Sequence, residues 1–312
     1  MALEKREIMK KEGSSNKTTV SLVLGSGGAR GLAHIGVIRW LEEHDYEIKS
    51  ISGCSIGSLI GGAYAAGKLD QLEEWMVSLH KTDIASLMDF SWTNSGIFKG
   101  DKIINTLIGF LEDILIEDLP VTFTAVAADL VTEKEVWINS GSLFDAIRAS
   151  ASLPLFFTPV IHGDALLIDG GVLNPVPIAP TFNDDTDFTV AVNLGGPLLH
   201  EAPDSEISLE SEEKKSLGKF QDEIKKFIET FNSSDQKQKE KSWSMYEVAD
   251  RAFDTMQGTI ARIKIASYPP DLEIKIARNA CGTLEFDRAA EMIKLGYEKA
   301  QLAYDIDSGI AK

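Results

Sequence analysis

Three short glycine-rich segments hold the residues whose types and spacing could do chemistry. Gly53-Cys54-Ser55-Ile56-Gly57 reads GxSxG and stands between a short apolar run and a stretch of small residues at helical spacing. Glycines on both sides let the chain reverse sharply, lifting Ser55 to the tip of a strand-turn-helix elbow as a nucleophile for acyl transfer. The helix behind it aims backbone N–H groups and a partial positive charge at whatever Ser55 attacks. Alone the pattern is weak, since it arises by chance in roughly one chain of this length in ten and also suits an ordinary tight turn.

The second segment, Gly25-Ser26-Gly27-Gly28-Ala29-Arg30-Gly31, is far more specific. At ordinary residue frequencies GxGGxRG is expected in fewer than about one chain in a thousand. It is not a dinucleotide fingerprint, because Arg30 stands where the third glycine belongs, and no Gly-Lys-Ser/Thr of a P-loop occurs. Successive glycines let N–H groups converge into a nest for a phosphate or a developing oxyanion. Arg30 either anchors that loop or adds positive potential. The third segment, Asp169-Gly170-Gly171, closes a short apolar strand. Its carboxylate suits a turn, but sites in open α/β sheets collect at the carboxyl ends of strands, where all three segments stand.

A base for Ser55 has to be found among few candidates. His34 falls inside the first helix and reads as packed there; His44 and His80 sit near helix ends, where solvated positions are expected. His162 and His200 follow the elbow without a recognisable context. None has a better claim than Asp169, so a Ser-Asp dyad leads and a Ser-His-Asp esterase stands as the alternative. A carboxylate with a reference pKa of about 3.9 needs a short hydrogen bond to Ser55 and partial desolvation to serve as a base.

The elements that must position these groups follow from hydrophobic patterning. Val20 to Leu24, Ile48 to Ile51, Val121 to Asp129, Ala165 to Ile168, Phe188 to Leu194 and Leu272 to Ile276 read as short strands, with Glu135 to Ile138 pairing beside one of them. Leu32 to His44, Ser58 to Ala66, Ser244 to Ile265 and a last helix capped by Asp287 read as helices. Their alternation predicts a three-layer α/β domain on a mainly parallel sheet. Residues 1–19 read as a disordered lead-in without the apolar core of a signal peptide, and 20–312 as one domain. Residues 200–242 form a charged insertion in which Leu217, Phe220, Ile224, Phe227, Ile228 and Phe231 recur at helical spacing. That stripe fits a surface helix, a flap over an apolar site or a homodimer contact.

With 31 Lys plus Arg against 48 Asp plus Glu, the net charge of −17 excludes an electropositive nucleic-acid footprint and simple electrostatic adhesion to anionic lipid. Transient membrane contact would therefore rest on apolar surface. Cys54 and Cys281 are far apart and in no metal-binding cluster, so neither a disulfide framework nor a metal is expected, and a reducing, cytoplasmic setting fits. No run approaches the roughly 18 apolar residues of a membrane span.

Taken together, the three segments resemble those of the patatin-like phospholipase family, closest to the compact bacterial members similar to the neuropathy target esterase catalytic domain. Arg148 to Pro154 with Phe157 to Val160, Asn174-Pro175-Val176-Pro177, and Phe286-Asp287-Arg288-Ala289 through Gly296-Tyr297 resemble further blocks of that family. The resemblance runs from Val20 to Leu198 and resumes near Pro269, with Ser26 where many members carry another glycine. It implies a three-layer α/β/α acyl hydrolase without cofactor or metal, acting on phospholipid or lysophospholipid. Ser55 would be the nucleophile and Asp169 its general base. The N–H groups of Gly27, Gly28, Ala29 and Arg30 would form the oxyanion hole, and Gly25, Gly31, Gly53, Gly57, Gly170 and Gly171 would be the motif glycines. A regulatory protein on the same scaffold, with slow or vestigial hydrolysis, is the competing expectation.

Overall fold

In the computed structural model, which describes residues 17–87, 111, 114–154, 156–198 and 245–308, the short apolar runs become the middle of one sheet. Strand β1 (Thr18–Leu24) is buried on both faces from Val20 onward, and β2 (Tyr46–Cys54) alternates at its start before Ser50 to Cys54 bury completely. Strands without polar alternation need cover on both sides, which is the environment of a central parallel strand. β3 (Thr122–Asp129), β4 (Lys134–Ile138), β5 (Val160–His162), β6 (Ala165–Asp169), β7 (Phe188–Gly196) and β8 (Leu272–Ala277) complete the set. The sheet runs β5-β6-β3-β2-β1-β7-β8, with β4 also pairing to β3. The five strands β3, β2, β1, β7 and β8 are mutually parallel, whereas β4 and β6 are antiparallel to β3 and β5 is antiparallel to β6. The expected three-layer α/β architecture with a mainly parallel sheet is thus the one adopted, with helices on both sides.

Register fixes a detail that decides the site. β2 pairs with β3 up to Cys54 opposite Val126, and β6 pairs with β3 from Leu167 opposite Asp129 to Asp169 opposite Ala127. β4 pairs with Ala125 to Asp129, overlapping both partners, so it occupies the other edge. β2 and β6 therefore share one edge of β3 and run towards each other, ending at adjacent positions.

Alternate β1 residues serve different layers, as the two-residue strand period requires. Leu22 and Leu24 join the main core with Trp40, Ile51, Ile60 and Phe123, while Val23 packs with Val176, Ile178, Ala191 and Ala261. On the main-core side lie α1 (Ala33–Glu43), α2 (Ile56–Ala65), α3 (Leu69–Ser78), α4 (Lys81–Leu87) and α5 (Leu143–Ser150); Ala261 belongs to α6 (Met245–Ser267), and α7 (Ala289–Asp307) packs on α1. A Cβ on Gly36 would stand 1.8 Å from the Ile293 carbonyl oxygen, and one on Gly296 1.9 Å from that of Ala33. Two glycines thus let the α1 and α7 backbones touch, and the Trp40 indole N–H donates to Gln301 beside that crossing (2.9 Å).

Several boundaries differ from the sequence reading. β1 starts at Thr18, inside the expected lead-in, and the last helix starts at Ala289 after a short 3-10 turn, Phe286–Arg288. Asp287 is therefore not its cap: Arg288 holds that position and makes no side-chain capping bond. α3, α4 and α5 are absent from the sequence reading, although Gly67 and Gly141, both at positive φ, stand just before α3 and α5; α5 is capped by Ser142, whose hydroxyl accepts from the Asp145 N–H (3.2 Å). The chain clusters into two units, 1–199 with 251–312, and 200–250. The charged insertion at 200–242 and its Leu217 to Phe231 stripe lie outside the described residues, as do 1–16. Among the described residues no helix is long and apolar enough to cross a membrane, and no group of three His, Cys, Asp or Glu side chains could hold a metal ion.

Candidate active site

Ser55 sits between β2 and α2 with φ 57° and ψ −124°. For a residue with a Cβ that conformation costs about 1–3 kcal/mol and persists only where the surroundings dictate it. Here they do. The Ser55 N–H donates to Ser150 Oγ (2.9 Å), and that fully buried hydroxyl donates in turn to the Val126 carbonyl (2.6 Å). The Ser55 carbonyl accepts from the Ser58 and Leu59 N–H groups and from Ser58 Oγ (2.9, 3.2 and 2.6 Å). Gly57 lets the elbow press against β1, since a Cβ there would lie 2.1 Å from the Leu24 carbonyl oxygen. The sheet tethers the elbow on its strand side and the helix tethers it on the other.

Asp169 comes from the opposite direction at the end of β6 and is fully buried. Its Oδ2 accepts from Ser55 Oγ at 2.5 Å, its Oδ1 accepts from the Gly171 N–H at 2.7 Å, and its own N–H donates to the Ser152 carbonyl at 2.9 Å. Burial pushes the carboxyl up from 3.8 to about 6, against the Ser55 and Gly171 hydrogen bonds, which favour the charged form. Such a carboxylate is ionised at neutral pH yet basic enough to take a hydroxyl proton. The neighbouring Cys54 thiol is raised well above its ordinary value by burial and by Asp169, so it stays neutral.

The glycine loop lies beside the elbow because β1 and β2 are parallel neighbours, with Leu24 opposite Gly53. Its N–H groups divide into two sets. Those of Gly25, Ser26 and Ala29 donate to the carbonyls of Val192, Pro175 and Thr283 (3.1, 2.8 and 2.9 Å). Those of Gly27 and Gly28 have no hydrogen-bond partner among the described residues, and Gly28 takes a positive φ of 58°. Ala29, expected among the anion donors, is thereby corrected: its N–H is committed to Thr283. Arg30 is corrected too, because its backbone belongs to a short 3-10 helix, Gly28–Leu32, and its side chain anchors the loop. The buried guanidinium donates to the Gly27 carbonyl through Nε (3.1 Å), to both Asp254 oxygens (2.7 and 3.0 Å) and to the Arg278 carbonyl (2.5 Å).

The remaining motif glycines mark close approaches: Gly25 to the Val192 carbonyl, Gly31 to the Ile56 side chain, Gly53 to the Gly57 carbonyl, Gly170 to the Val126 carbonyl and Gly171 to Gln257. The histidines take other places. His34 is fully buried with Nε2 at 2.9 Å from the Gly25 carbonyl; burial lowers its pKa to about 4 despite that bond, so the neutral ring donates there. His44 stacks on Trp40 with ring centroids 4.2 Å apart, and His80 and His162 are exposed. His200 lies outside the described residues. Three contributors escaped the sequence reading. Ser150 stood in a motif block without an assigned role, and Asp254 and Gln257 look like ordinary surface polarity on a helix.

Comparison with known proteins shows the family of the chain. A family model described as patatin-like phospholipase matches residues 22–182. The chain is 34% identical over 338 aligned positions to uncharacterized NTE family proteins of Mycobacterium bovis and Mycobacterium tuberculosis, covering 94% of this chain and 94% of theirs. A patatin-like phospholipase domain-containing protein of Caenorhabditis elegans is 35% identical over 182 residues, 56% of this chain and 14% of that protein. Among solved structures, VipD from Legionella pneumophila aligns at a TM-score of 0.44 and 14% identity, covering 94% of this chain and 68% of that one.

Proposed function

Since the chain belongs to the patatin-like phospholipase family, we propose that it is a lipid acyl hydrolase that cleaves carboxylic esters of phospholipids or lysophospholipids through Ser55 and Asp169. The observation that carries this reading is the 2.5 Å hydrogen bond from Ser55 Oγ, on its strained elbow, to a buried carboxylate with a raised pKa. Asp169 takes the hydroxyl proton as Oγ attacks the ester carbonyl. Negative charge then develops on the carbonyl oxygen, where the open N–H groups of Gly27 and Gly28 receive it. Donors fixed in advance stabilise that charge without reorganising, and losing one typically costs about 10² to 10³ in rate. Collapse of the tetrahedral intermediate returns the proton to the leaving alcohol and leaves an acyl-Ser55. Asp169 then deprotonates a water, which attacks the acyl group; the acyl–Oγ bond breaks, the fatty acid leaves, and Asp169 returns the proton to Ser55 Oγ.

His34 does not compete for the base role, because its ring is turned to the Gly25 carbonyl and held neutral by burial. The test is hydrolysis of p-nitrophenyl esters and lysophosphatidylcholine by the purified protein, with Ser55→Ala and Asp169→Asn alongside. Turnover should fall by about 10³ or more in each variant. Full activity in either one refutes the dyad.

A further inference from the structure

We propose that Asp254 and Gln257, one turn apart on α6, are positioning residues that set the oxyanion donors from outside the loop carrying them. The inference rests on the acyl-hydrolase reading above and assigns a catalytic dependence to a helix that lies beyond the matched family region, residues 22–182.

The argument begins with the peptide between Gly27 and Gly28. No cis peptide occurs among the described residues, so in this planar trans unit the Gly27 carbonyl and the Gly28 N–H point in opposite directions. Whatever holds the carbonyl aims the N–H. Its side-chain holder is Arg30 Nε, at 3.1 Å, on the carbonyl that also opens the 3-10 helix as its N-cap. Glycines on both sides of the bond offer little resistance to rotation of the peptide, since neither has a Cβ to restrict it. The direction of the donor therefore depends on how firmly Arg30 is held. Asp254 grips its guanidinium by a two-pronged, charge-assisted pair of bonds at 2.7 and 3.0 Å, the geometry that fixes a planar fork in orientation as well as distance.

Gln257 makes a second, separate connection. It is buried, and its Nε2 donates to Ser26 Oγ (3.1 Å) at the other end of the same loop. That Nε2 also lies 2.1 Å from where a Gly171 Cβ would stand, and Asp169 Oδ1 is 2.9 Å from the same point. One amide thus fills the space between the donor loop and the turn that carries the base. Further along the same face of α6, Ala261 packs with Val23, Val176 and Ala191, and Lys264 donates to Glu135 (2.5 Å). The helix is seated on the sheet at its far end, and it presents Asp254 and Gln257 to the loop.

Donors that are correctly aimed favour the tetrahedral state over the bound ester. Loosening them should therefore appear in kcat and leave KM nearly unchanged. In the full-length protein, Asp254→Asn should lower kcat by about tenfold to a hundredfold with KM within twofold. The inhibition constant of an alkyl trifluoromethyl ketone, whose Ser55 adduct places an oxyanion in the same hole, should rise by the same factor. Arg262→Ala, on the exposed face of α6, should change neither value. Gln257→Ala should show the same split as Asp254→Asn, and it carries the test if circular dichroism shows Asp254→Asn to be unfolded. Folded variants with unchanged kcat, or a lower kcat with unchanged ketone affinity, overturn the inference. Wild-type protein without Ser55-dependent turnover would refute the acyl-hydrolase reading and this inference with it. Ser55-dependent turnover that both α6 variants leave intact would refute the inference alone.

Discussion

Replacing Asp169 with asparagine should abolish turnover and make the protein more stable, and both effects have one cause. The carboxyl is fully buried, and burial lifts it from 3.8 to about 6 in the folded protein. A raised folded-state pKa means that the proton is held more tightly in the native state than in the unfolded chain. Below about pH 4 both states are protonated and the group contributes its full stability. Between about pH 4 and 6 the unfolded chain has released the proton while the folded protein keeps it, so stability falls as pH rises. Above about pH 6 the folded protein carries a buried charge. At 1.36 kcal/mol per tenfold change in proton affinity, the cost then amounts to about 3 kcal/mol. Asparagine keeps an acceptor for the Gly171 N–H and has no charge to bury.

The assay is thermal unfolding of wild type and Asp169→Asn from pH 4 to pH 8, read as the difference between the two so that every other titrating group cancels. The difference should grow by about 3 kcal/mol across that window. At roughly 2 °C per kcal/mol for a chain of this size, that is about 6 °C in Tm, with the variant higher at pH 7.5. Growth should be complete by about pH 7. A difference that does not change with pH, or one that shrinks as pH rises, refutes the claim that desolvation dominates at this carboxyl. It would also remove the physical reason for treating Asp169 as a base.

Two further outcomes follow from the same geometry. The kcat/KM of the free enzyme should fall about tenfold per pH unit below about pH 6 and level off above it, because the proposed mechanism needs ionised Asp169; a flat profile from pH 5 to pH 8 would mean a carboxyl near its ordinary value. Ser55→Gly should be more stable than Ser55→Ala by about 1 kcal/mol in chemical unfolding, although both are inactive, because glycine adopts φ 57° without a Cβ penalty. The reverse order would show that the elbow stores no backbone strain.

What was legible in the sequence was legible because glycine has no substitute where backbones touch. Gly57 against Leu24, Gly170 against Val126 and Gly28 at positive φ each leave a mark that survives without any knowledge of the fold. Ser55 and Asp169 were found through those marks. Less was visible where the determining contact is distant along the chain. The Ala29 N–H reaches Thr283 and the Arg30 guanidinium reaches Asp254, separations of over 200 residues that no local pattern encodes. Arg30 read equally well as a source of positive potential or as an anchor until Asp254 stood beside it. Asp287 had the residue type and place of a helix cap, yet the 3-10 turn Phe286–Arg288 displaces the helix start past it.

The direction of β6 was also invisible, and it bears most directly on the chemistry. Gathering three motifs at the carboxyl ends of strands is the habit of a parallel sheet, but β6 is antiparallel to β3 and would by that rule carry Asp169 away from the elbow. It reaches Ser55 because β2 stops at Cys54, opposite Val126, and β6 fills the same edge of β3 from the far end, stopping at Asp169 opposite Ala127. Serine and aspartate have short side chains, so their oxygens meet at 2.5 Å only when their backbones are neighbours, and two abutting strand ends make them so. In a Ser-His-Asp arrangement the imidazole bridges a serine and a carboxylate that stand apart. Here the register leaves no gap for an imidazole to bridge, and in the proposed dyad burial of Asp169 would supply the basicity that a histidine otherwise brings. Among the described residues no histidine reaches the Ser55 hydroxyl, and the closure of the sheet around β3 has already brought the carboxylate of the proposed dyad into place.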